Sequence, residues 1–310
     1  MNKRKLVVVD GNALVHRAFH ALPPMFSSKG EPVNAVYGFL LVFFKALKDL
    51  QPEYIVATFD LAGPTFRDKI YKEYKAKRKK APNELYSQLP IIKNVLKIFE
   101  VPIFEKQGFE ADDIIGTIAK LVEKEESLPK IETIIITGDL DALALVNEQT
   151  KVYTLKKGLK DTIIYDRALV MERYDGLEPE QLNDFRGLRG DSSDNIPGVP
   201  GIGEKTAIQL LKEFNTIENL YSEIESGGAP LVSDRIRGKL KEYKEQAFLS
   251  KKLAKINFNV SIDFNLEKCC QKEIERKEII KLFQDLGFYS LIKRLPEQGE
   301  IRCQRKVEMS

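Results

Sequence analysis

The sequence predicts an α/β domain built on a parallel sheet, followed by a mostly helical domain. Three short apolar runs, 5–10, 54–60 and 133–141, are rich in β-branched residues and do not alternate with polar ones. This pattern is typical of strands buried on both faces of a parallel sheet. Helical patterns lie between the runs, at 36–50 and 89–99. Alternating strands and helices predict a doubly wound architecture.

The composition is that of a globular, water-soluble chain. The 310 residues are 43% hydrophobic and 31% charged. The longest apolar run, 39–44, is too short to cross a bilayer. Asp10 interrupts the apolar N-terminal run, which argues against a signal peptide, and three cysteines form neither a disulfide framework nor a zinc pattern. We therefore expect a cytoplasmic monomer without membrane contact.

An acidic residue stands at or near the end of each predicted strand. These residues are Asp10, Asp60, Asp139 and Asp141. In open parallel sheets the carboxyl ends of the strands share one edge, where ligands bind. The four carboxylates are therefore expected at that edge. A further strand pair, 151–155 and 162–165, completes the predicted sheet.

Two more acidic motifs are expected at the same edge. Glu110, Asp112 and Asp113 open a predicted helix, on which Glu110 and Asp113 share a face. Asp191 and Asp194 lie in the turn-rich sequence GDSSDN. Each acid alone also has a structural interpretation, because Asp favours helix N-caps and negative charge is stabilised in the first turn of a helix.

Together, the nine acids indicate a metal site. Carboxylates packed at one edge repel one another unless cations neutralise them. Oxygen ligands without clustered His or Cys favour Mg²⁺ or Mn²⁺. An all-carboxylate site for two such ions is the usual apparatus of phosphodiester hydrolysis.

From about residue 177 the pattern changes to helices joined by turns. The predicted helices are 179–188, 204–214, 217–224, 231–253 and 274–286. Gly198, Gly201 and Gly203 form a short hairpin before one of them, and backbone N–H groups of such a hairpin can approach a phosphate closely. The stretch nearly spells a P-loop, but Glu204 interrupts the GK[ST] element and no buried strand precedes it. Nucleotide binding is therefore not favoured.

A basic segment follows Asp60. Residues 65–80 contain eight basic and two acidic side chains, and Phe66, Tyr71 and Tyr74 are interleaved among them. A solvated basic helix would have the same composition. However, basic groups that bind phosphates beside aromatic rings that stack on unpaired bases are typical of single-strand binding, and we favour that interpretation.

With these residues in place, the chain resembles the 5′-nuclease (5′→3′ exonuclease) domain of bacterial DNA polymerase I, within the flap-endonuclease family. The matching motifs span nearly the whole chain: VVDGNALVHRAFHALP, EPVNAVYGF, FDLAGPTFRDKIYKEYKAKR, GFEADDIIGTIA, TGDLDALALV, RGLRGDSSDNIPGVPGIGEKTAIQLL and LFQDLGFYSLIKRL. The resemblance implies a PIN-like parallel-sheet nuclease domain over 1–176 and a mostly helical helix–hairpin–helix (H3TH) DNA-binding domain over 177–295. The helix–hairpin–helix motif would lie at about 184–214, and residues 296–310 would form a polar tail.

The resemblance also implies roles for individual residues. Two or three Mg²⁺ or Mn²⁺ ions would be held by Asp10, Asp60, Glu110, Asp112, Asp113, Asp139, Asp141, Asp191 and Asp194. Residues 65–90 would form a helical arch around a 5′ single-stranded flap, with Tyr74, Lys75 and Arg78 near the scissile phosphate. DNA contacts would come from Arg67, Lys72, Gly198, Gly201, Gly203, Lys205 and Thr206. A K⁺ ion is expected at the hairpin.

The implied function is 5′→3′ exonuclease and 5′-flap endonuclease activity by a two-metal-ion mechanism, in DNA replication and repair. The expected substrate is DNA with a 5′ flap, a nick or an RNA-primer end, and the expected partner is a DNA polymerase module in cis or in trans. Two alternatives stay open: a PIN-type ribonuclease and a DNA-binding module without metals. Cleavage of single-stranded RNA would identify the first, and absence of Mg²⁺-dependent cleavage the second.

Overall fold

A mixed six-stranded sheet forms the centre of the first part of the chain. The computed structural model describes residues 4–125, 130–156, 158–159, 161–229, 232–272 and 275–295, so the expected tail at 296–310 lies outside the described residues. Within them the strands are β1 (Lys5–Asp10), β2 (Tyr54–Thr58), β3 (Ile103–Phe104), β4 (Glu132–Thr137), β5 (Thr150–Leu155) and β6 (Thr162–Tyr165). Their order is β3-β2-β1-β4-β5-β6, and every pair is parallel except β5 and β6.

The strand register brings the carboxyl ends of β1, β2 and β4 to one edge. Asp10 pairs with Thr58, and Val9 pairs with Ile136. The chain segments that leave these three strands therefore start side by side. This confirms the expected parallel sheet. The short edge strand β3 is an addition to the prediction, because two residues between a helix and a loop carry no periodic signal.

Helices cover both faces of the sheet. They are α1 (Gly11–Ala21), α2 (Asn34–Leu50), α3 (Phe66–Ile70), α4 (Asn83–Tyr86), α5 (Leu89–Ile98), α6 (Ala111–Glu123) and α7 (Arg167–Arg173). Val7 and Val9 point into a core shared with α1, α2 and α5, whereas Leu6 and Val8 point into a core shared with α6. Since successive side chains of a strand face opposite ways, a strand buried on both sides needs an unbroken apolar run.

The second part of the chain is helical. Its elements are α8 (Leu182–Arg189), α9 (Glu204–Phe214), α10 (Ile217–Glu225), α11 (Asp234–Glu242), α12 (Lys244–Ala254), α13 (Arg276–Asp285) and α14 (Tyr289–Ile292). The single helix predicted over 231–253 is in fact two, because Tyr243 has φ −110° and ψ 26°, outside the α-helical region. The helix predicted to begin at Pro179 begins with a 3₁₀ turn and continues as α8.

The end of the described chain returns to the sheet. Ile279 and Phe283 of α13 and Leu291 of α14 are buried in the same core as α2, and Ile256 and Leu266 are buried in the core beneath α6. A third core joins α8, α9 and α10. Residues 177–295, expected as one helical domain, are thus divided between their own core and the two faces of the sheet. None of the described helices has the length and apolarity needed to span a membrane.

Candidate active site

Asp10 is fixed at the end of β1 by two hydrogen bonds. It is the N-cap of α1, and its Oδ1 accepts the backbone N–H of Ala13 at 3.0 Å. Its Oδ2 accepts the hydroxyl of Thr137, the last residue of β4, at 2.6 Å. Asp10 is buried, and the two hydrogen bonds hold its carboxylate where the ends of β1 and β4 meet.

Asp60 and Glu110 lie on the neighbouring side of the same edge. Asp60 Oδ1 accepts the backbone N–H of Ala111 at 2.7 Å, which joins the end of β2 to the start of α6. The side-chain carbonyl of Asn12 accepts the backbone N–H of Asp60 at 3.1 Å. Glu110 is the N-cap of α6, and Asp112 lies in the first turn.

Asp139 and Asp141 follow β4. Asp139 Oδ1 accepts the backbone N–H of Asp141 at 2.9 Å, and the backbone N–H of Asp139 donates to Thr137 Oγ1 at 2.9 Å. Asp141 pairs with Arg186 of α8, with 2.6 Å between Oδ1 and the guanidinium nitrogen. Arg186 is 6% exposed, and its ion pair with Asp141 connects helix α8 to the acidic edge of the sheet.

The GDSSDN turn brings the last two acids to the edge. The turn is closed by mutual backbone hydrogen bonds between Asp191 and Ile196, at 2.8 and 2.7 Å. Asp191 Oδ1 accepts the backbone N–H and the hydroxyl of Ser193. Asp194 Oδ2 accepts the phenol of Tyr74 at 3.1 Å. The turn thus contacts the basic segment directly.

Electrostatic interactions connect eight of the nine predicted acids. Burial raises the pKa of Asp10 to about 7, with further contributions from Asp60 and Asp139. Burial likewise raises the pKa of Asp141 to about 7, although Arg186 opposes the shift. The pKa of Asp112 is raised well above its usual value, by burial and then by Asp10, Asp139, Asp141 and Glu110. A cation in their midst would favour the ionised forms.

The pKa values of three further acids at the edge are shifted, and not all in the same direction. Burial raises the pKa of Asp60 and of Asp194, and Glu110 contributes in the same direction to each. For Asp191, burial acts in the raising direction, but the hydrogen bonds from Ser193 prevail and lower its pKa below the usual value. The groups around Asp191 therefore favour its ionised form.

The basic segment 65–80 lies over these carboxylates. Lys75 Nζ is 2.7 Å from Glu110 Oε1 and 3.5 Å from Asp194 Oδ2. Arg78 lies 3.6 Å from Asp194 Oδ1, and the single hydroxyl proton of Tyr74 is shared between Glu110 Oε2 and Asp194 Oδ2, each 3.1 Å from the phenol oxygen. Within the expected arch, regular helix is limited to α3, α4 and the start of α5, with turns at 72–77 between. Lys72 is exposed on one of these turns.

Two predicted site residues, Asp113 and Arg67, are buried inside the protein and do not face the acidic edge of the sheet. The carboxylate of Asp113 is fully buried, and its two oxygens accept the guanidinium of Arg67, each at 2.8 Å. The same carboxylate accepts the backbone N–H groups of Glu110 and Asn257. Arg67 is itself 3% exposed. Asp113 is therefore not placed to bind a metal, and Arg67 is not placed to contact DNA, because each satisfies the other inside the protein.

The predicted hairpin connects α8 to α9. Gly198 and Gly201 have φ of +60° and +86°, a region that favours glycine, whereas Gly203 is the extended N-cap of α9. Lys205 and Thr206 lie in the first turn of α9, with Lys205 exposed. Gly201 and Gly203 are exposed, and a Cβ atom added to either would have no neighbouring atom within 4 Å. This leaves room for a ligand.

Sequence reasoning missed three residues that hold the acids: Asn12, Thr137 and Arg186. Thr137 stands two residues before Asp139 in TGDLD. A hydroxyl at the end of a strand, close to predicted metal ligands, is a signal that it could hydrogen-bond to them. Arg186 opens the RGLRGDSSDN stretch, but which acid it meets depends on the packing of α8 against the edge.

The residues fit a hard cation, although they do not already enclose one. Among the described residues, no three His, Cys, Asp or Glu side chains form a metal-ligand set. Asp194 Oδ1 is nevertheless buried and accepts no hydrogen bond from any described group. Mg²⁺ commonly keeps several of its waters and binds through one or two carboxylates. Neighbouring carboxylates that include a buried oxygen without a hydrogen bond suit that mode of binding.

The fold and the acidic edge define a PIN-like α/β domain joined to a helical domain with a helix–hairpin–helix motif. Residues 5–175 match the family described as 5′-3′ exonuclease, N-terminal resolvase-like domain, and residues 177–277 match 5′-3′ exonuclease, C-terminal SAM fold. The chain belongs to the 5′-3′ exonuclease family.

Individual relatives agree with this assignment. The chain is 43% identical to DNA polymerase I of Bacillus subtilis, over 96% of this chain and 33% of that protein. It thus spans about a third of the polymerases that it matches. It is 36% identical to a 5′-3′ exonuclease of Aquifex aeolicus, over 98% of this chain and 99% of that protein. The bacteriophage T5 flap endonuclease, solved with DNA and metal ions, shares the fold with a TM-score of 0.66 at 21% identity, covering 81% of this chain and 89% of that one.

Proposed function

We propose that this chain is a divalent-metal-dependent 5′→3′ exonuclease and 5′-flap endonuclease that hydrolyses phosphodiesters of DNA and of RNA primers in replication and repair. The observation that carries the proposal is the position of Lys75, which bridges Glu110 and Asp194 above the acidic edge. A phosphodiester entering there would meet positive groups on one side and carboxylates able to hold cations on the other.

Eight carboxylates would hold two or three Mg²⁺ or Mn²⁺ ions: Asp10, Asp60, Glu110, Asp112, Asp139, Asp141, Asp191 and Asp194. Bound ions of this kind lower the pKa of a coordinated water and stabilise charge on the attacking and leaving oxygens. Asp113 is omitted from the set, because Arg67 and two backbone N–H groups occupy its carboxylate.

The basic segment would orient the scissile phosphate. The Lys75 side chain is 25% exposed and that of Arg78 is 56% exposed, so both have room to exchange a carboxylate partner for a phosphate oxygen. Tyr74 is buried and holds Glu110 and Asp194 together through its hydroxyl. Its role would be to position these acids, with Lys75 and Arg78 contacting the substrate.

The hairpin would bind the duplex backbone next to the acidic edge. Gly201 and Gly203 present exposed backbone groups, while Gly198 is buried behind them and fixes the turn. Lys205 and Thr206 add a positive charge and a hydroxyl at the start of α9. The hairpin would also hold a K⁺ ion, whose positive charge would attract a phosphate of the duplex. Lys72 would contact the single-stranded side.

The similarity to DNA polymerases I supports a polymerase module as the functional partner, in cis or in trans, and a cytoplasmic monomer is proposed as the working form. DNA with a 5′ flap, a nick or a primer end is the proposed substrate. The flap endonuclease with the same fold was solved with DNA and metal ions, which supports both the substrate class and the cofactor class.

The test uses a flapped DNA duplex labelled on the flap, with Mg²⁺ or with a chelator. We expect cleavage near the flap junction only with Mg²⁺. Asp139→Ala and Asp191→Ala should abolish cleavage and retain flap binding, whereas Asp263→Ala, at a 96% exposed side chain, should cut like the wild type. Cleavage by the Asp139 or Asp191 variant at the wild-type rate would refute the site. Preference for single-stranded RNA would favour the ribonuclease alternative. Absence of cleavage with both Mg²⁺ and Mn²⁺ would favour the metal-free binding module.

A further inference from the structure

Arg67 lies where three parts of the chain meet. It belongs to α3, at the base of the basic segment. Its guanidinium pairs with Asp113 in the first turn of α6 and donates to the backbone carbonyls of Leu253 and Lys255, at the end of α12. Buried arginine at such a junction is costly unless every donor is used.

The hydrogen bonds of Arg67 use its fork completely. Both terminal nitrogens lie 2.8 Å from the two Asp113 oxygens, Nε lies 2.9 Å from the Leu253 carbonyl and one terminal nitrogen lies 3.0 Å from the Lys255 carbonyl. The other terminal nitrogen is also 3.4 Å from Glu110 Oε2. The guanidinium therefore fixes the start of α6, which carries Glu110, against the end of α12.

The same helix α12 holds the hairpin. The backbone N–H of Gly198 donates to the Ser250 hydroxyl at 3.0 Å, and the side-chain amide of Gln246 donates to the Gly198 carbonyl at 2.6 Å. Both polar groups of one hairpin residue are thus bound by α12. An 11-residue helix then runs from the hairpin to the carbonyls that Arg67 binds.

We propose that Arg67 is a positioning residue that couples duplex binding at the hairpin to the placement of the carboxylates at the start of α6. This inference rests on the proposed function. Duplex bound at the exposed part of the hairpin restrains α12 through the contacts of Gly198, and the Arg67 fork carries that restraint to Asp113 and Glu110. Asp112, between them in sequence, is placed by the same contact. A single rigid helix with side-chain contacts at both ends supplies the physical connection that coupling requires.

The test is Arg67→Lys, which keeps the charge and loses the fork. Steady-state cleavage is measured with Mg²⁺ on a flapped duplex and on the unpaired flap strand alone. We expect kcat on the flapped duplex to fall ~10- to 100-fold while KM changes little, because a misplacement of reacting groups by about 1 Å can slow a reaction ~100-fold. The preference for flapped duplex over single strand should fall ~10-fold. Equal losses on the two substrates, or no loss, would overturn the coupling.

A matched control separates coupling from general damage. Arg4 makes the same kind of two-point pair with Glu53, at 2.8 and 3.0 Å, beside the opposite end of β1. Arg4→Lys should leave the preference for flapped duplex unchanged. A wild-type chain that fails to cut flapped DNA with Mg²⁺ would refute the proposed function itself, before any variant is compared.

A second variant keeps the proposal testable if Arg67→Lys does not fold. Ser250→Ala removes one of the two contacts between α12 and Gly198 and should lower the preference for flapped duplex in the same way. Where both single variants fold, the double variant should cut no more slowly than the slower single one, because both interrupt one connection. A wild-type preference in Ser250→Ala, or losses that multiply in the double variant, would overturn the proposal.

Discussion

The Thr137 hydroxyl donates a hydrogen bond of 2.6 Å to Asp10 Oδ2. The same oxygen of Thr137 accepts the backbone N–H of Asp139 at 2.9 Å. One buried hydroxyl thus holds an acid of β1 and the chain that carries the acids after β4. A proton donor to a carboxylate also opposes the effect of burial on that carboxylate, and Thr137 does lower the pKa of Asp10.

Thr137→Val tests this relationship. The substitution is close in volume and removes the donor, so we expect the folded state to lose about 1.5–3 kcal/mol, the usual contribution of a hydrogen bond to a charged group. The pKa of Asp10 should move further up, and a more protonated carboxylate binds cations less well. We expect the Mg²⁺ concentration for half-maximal cleavage to rise ~10-fold or more. Thr133→Val, near the other end of β4, is the control, and an unchanged Mg²⁺ requirement in Thr137→Val would contradict this assignment.

Adjacent acids in the first turn of α6 should respond in opposite ways. Asp113→Asn breaks a buried ion pair and leaves Arg67 without its charged partner. We therefore expect the free energy of unfolding, measured in urea, to fall by about 3–5 kcal/mol. Asp112→Asn removes a carboxylate that like charges and burial already disfavour, so without divalent ions its stability should equal or exceed that of the wild type. It should nevertheless abolish cleavage. Equal urea curves for the two variants would contradict the different roles assigned to them.

Lys75 and Lys72 should also differ. Lys75→Met removes the cation that bridges Glu110 and Asp194, and we expect flap cleavage to slow ~100-fold or more, as for loss of a group that stabilises charge in the transition state. Lys72→Met should instead weaken flap binding and reduce the slope of log affinity against log salt by ~1. Single-turnover rates and binding at several salt concentrations measure both. Similar rate losses in the two variants would count against the role of Lys75.

The hairpin glycines should not be equivalent. A Cβ on Gly198 would lie 2.3 Å from the backbone nitrogen of Gly190, at a φ of +60°, so Gly198→Ala should lower the melting temperature and weaken duplex binding more than ~10-fold. A Cβ on Gly203 would meet nothing within 4 Å, so Gly203→Ala should melt like the wild type. A wild-type melting temperature for Gly198→Ala would show that the hairpin is less constrained than its backbone contacts require.

The sequence was sufficient to predict the acidic edge, because strand ends in a parallel sheet must meet. The sequence could not show that Asp112 and Asp113 have different roles. Successive helix residues point about 100° apart, and only the packing of α6 decides which of the two faces the other acids. For the same reason Arg67 looked like one more basic residue of a DNA-binding segment. Its burial depends on the end of α12, which lies far along the chain at Leu253 and Lys255.

The remaining differences between prediction and structure also have physical causes. No Gly or Pro lies in residues 239–253 around the break at Tyr243, and the amphipathic pattern continues across it, so periodicity alone joins α11 to α12. The contact of Asp141 with Arg186 joins the sheet to α8 and is a matter of tertiary packing. The strands themselves were predictable because Val, Ile and Leu runs buried on two faces have few other structures available.

Helix α13 packs its Ile279 and Phe283 against the core that contains α2. A nascent chain on the ribosome therefore completes its sheet domain only after the last described helices have left the exit tunnel. Until then the face that they cover is open to solvent, and an apolar face of this kind is a target for chaperones and for aggregation.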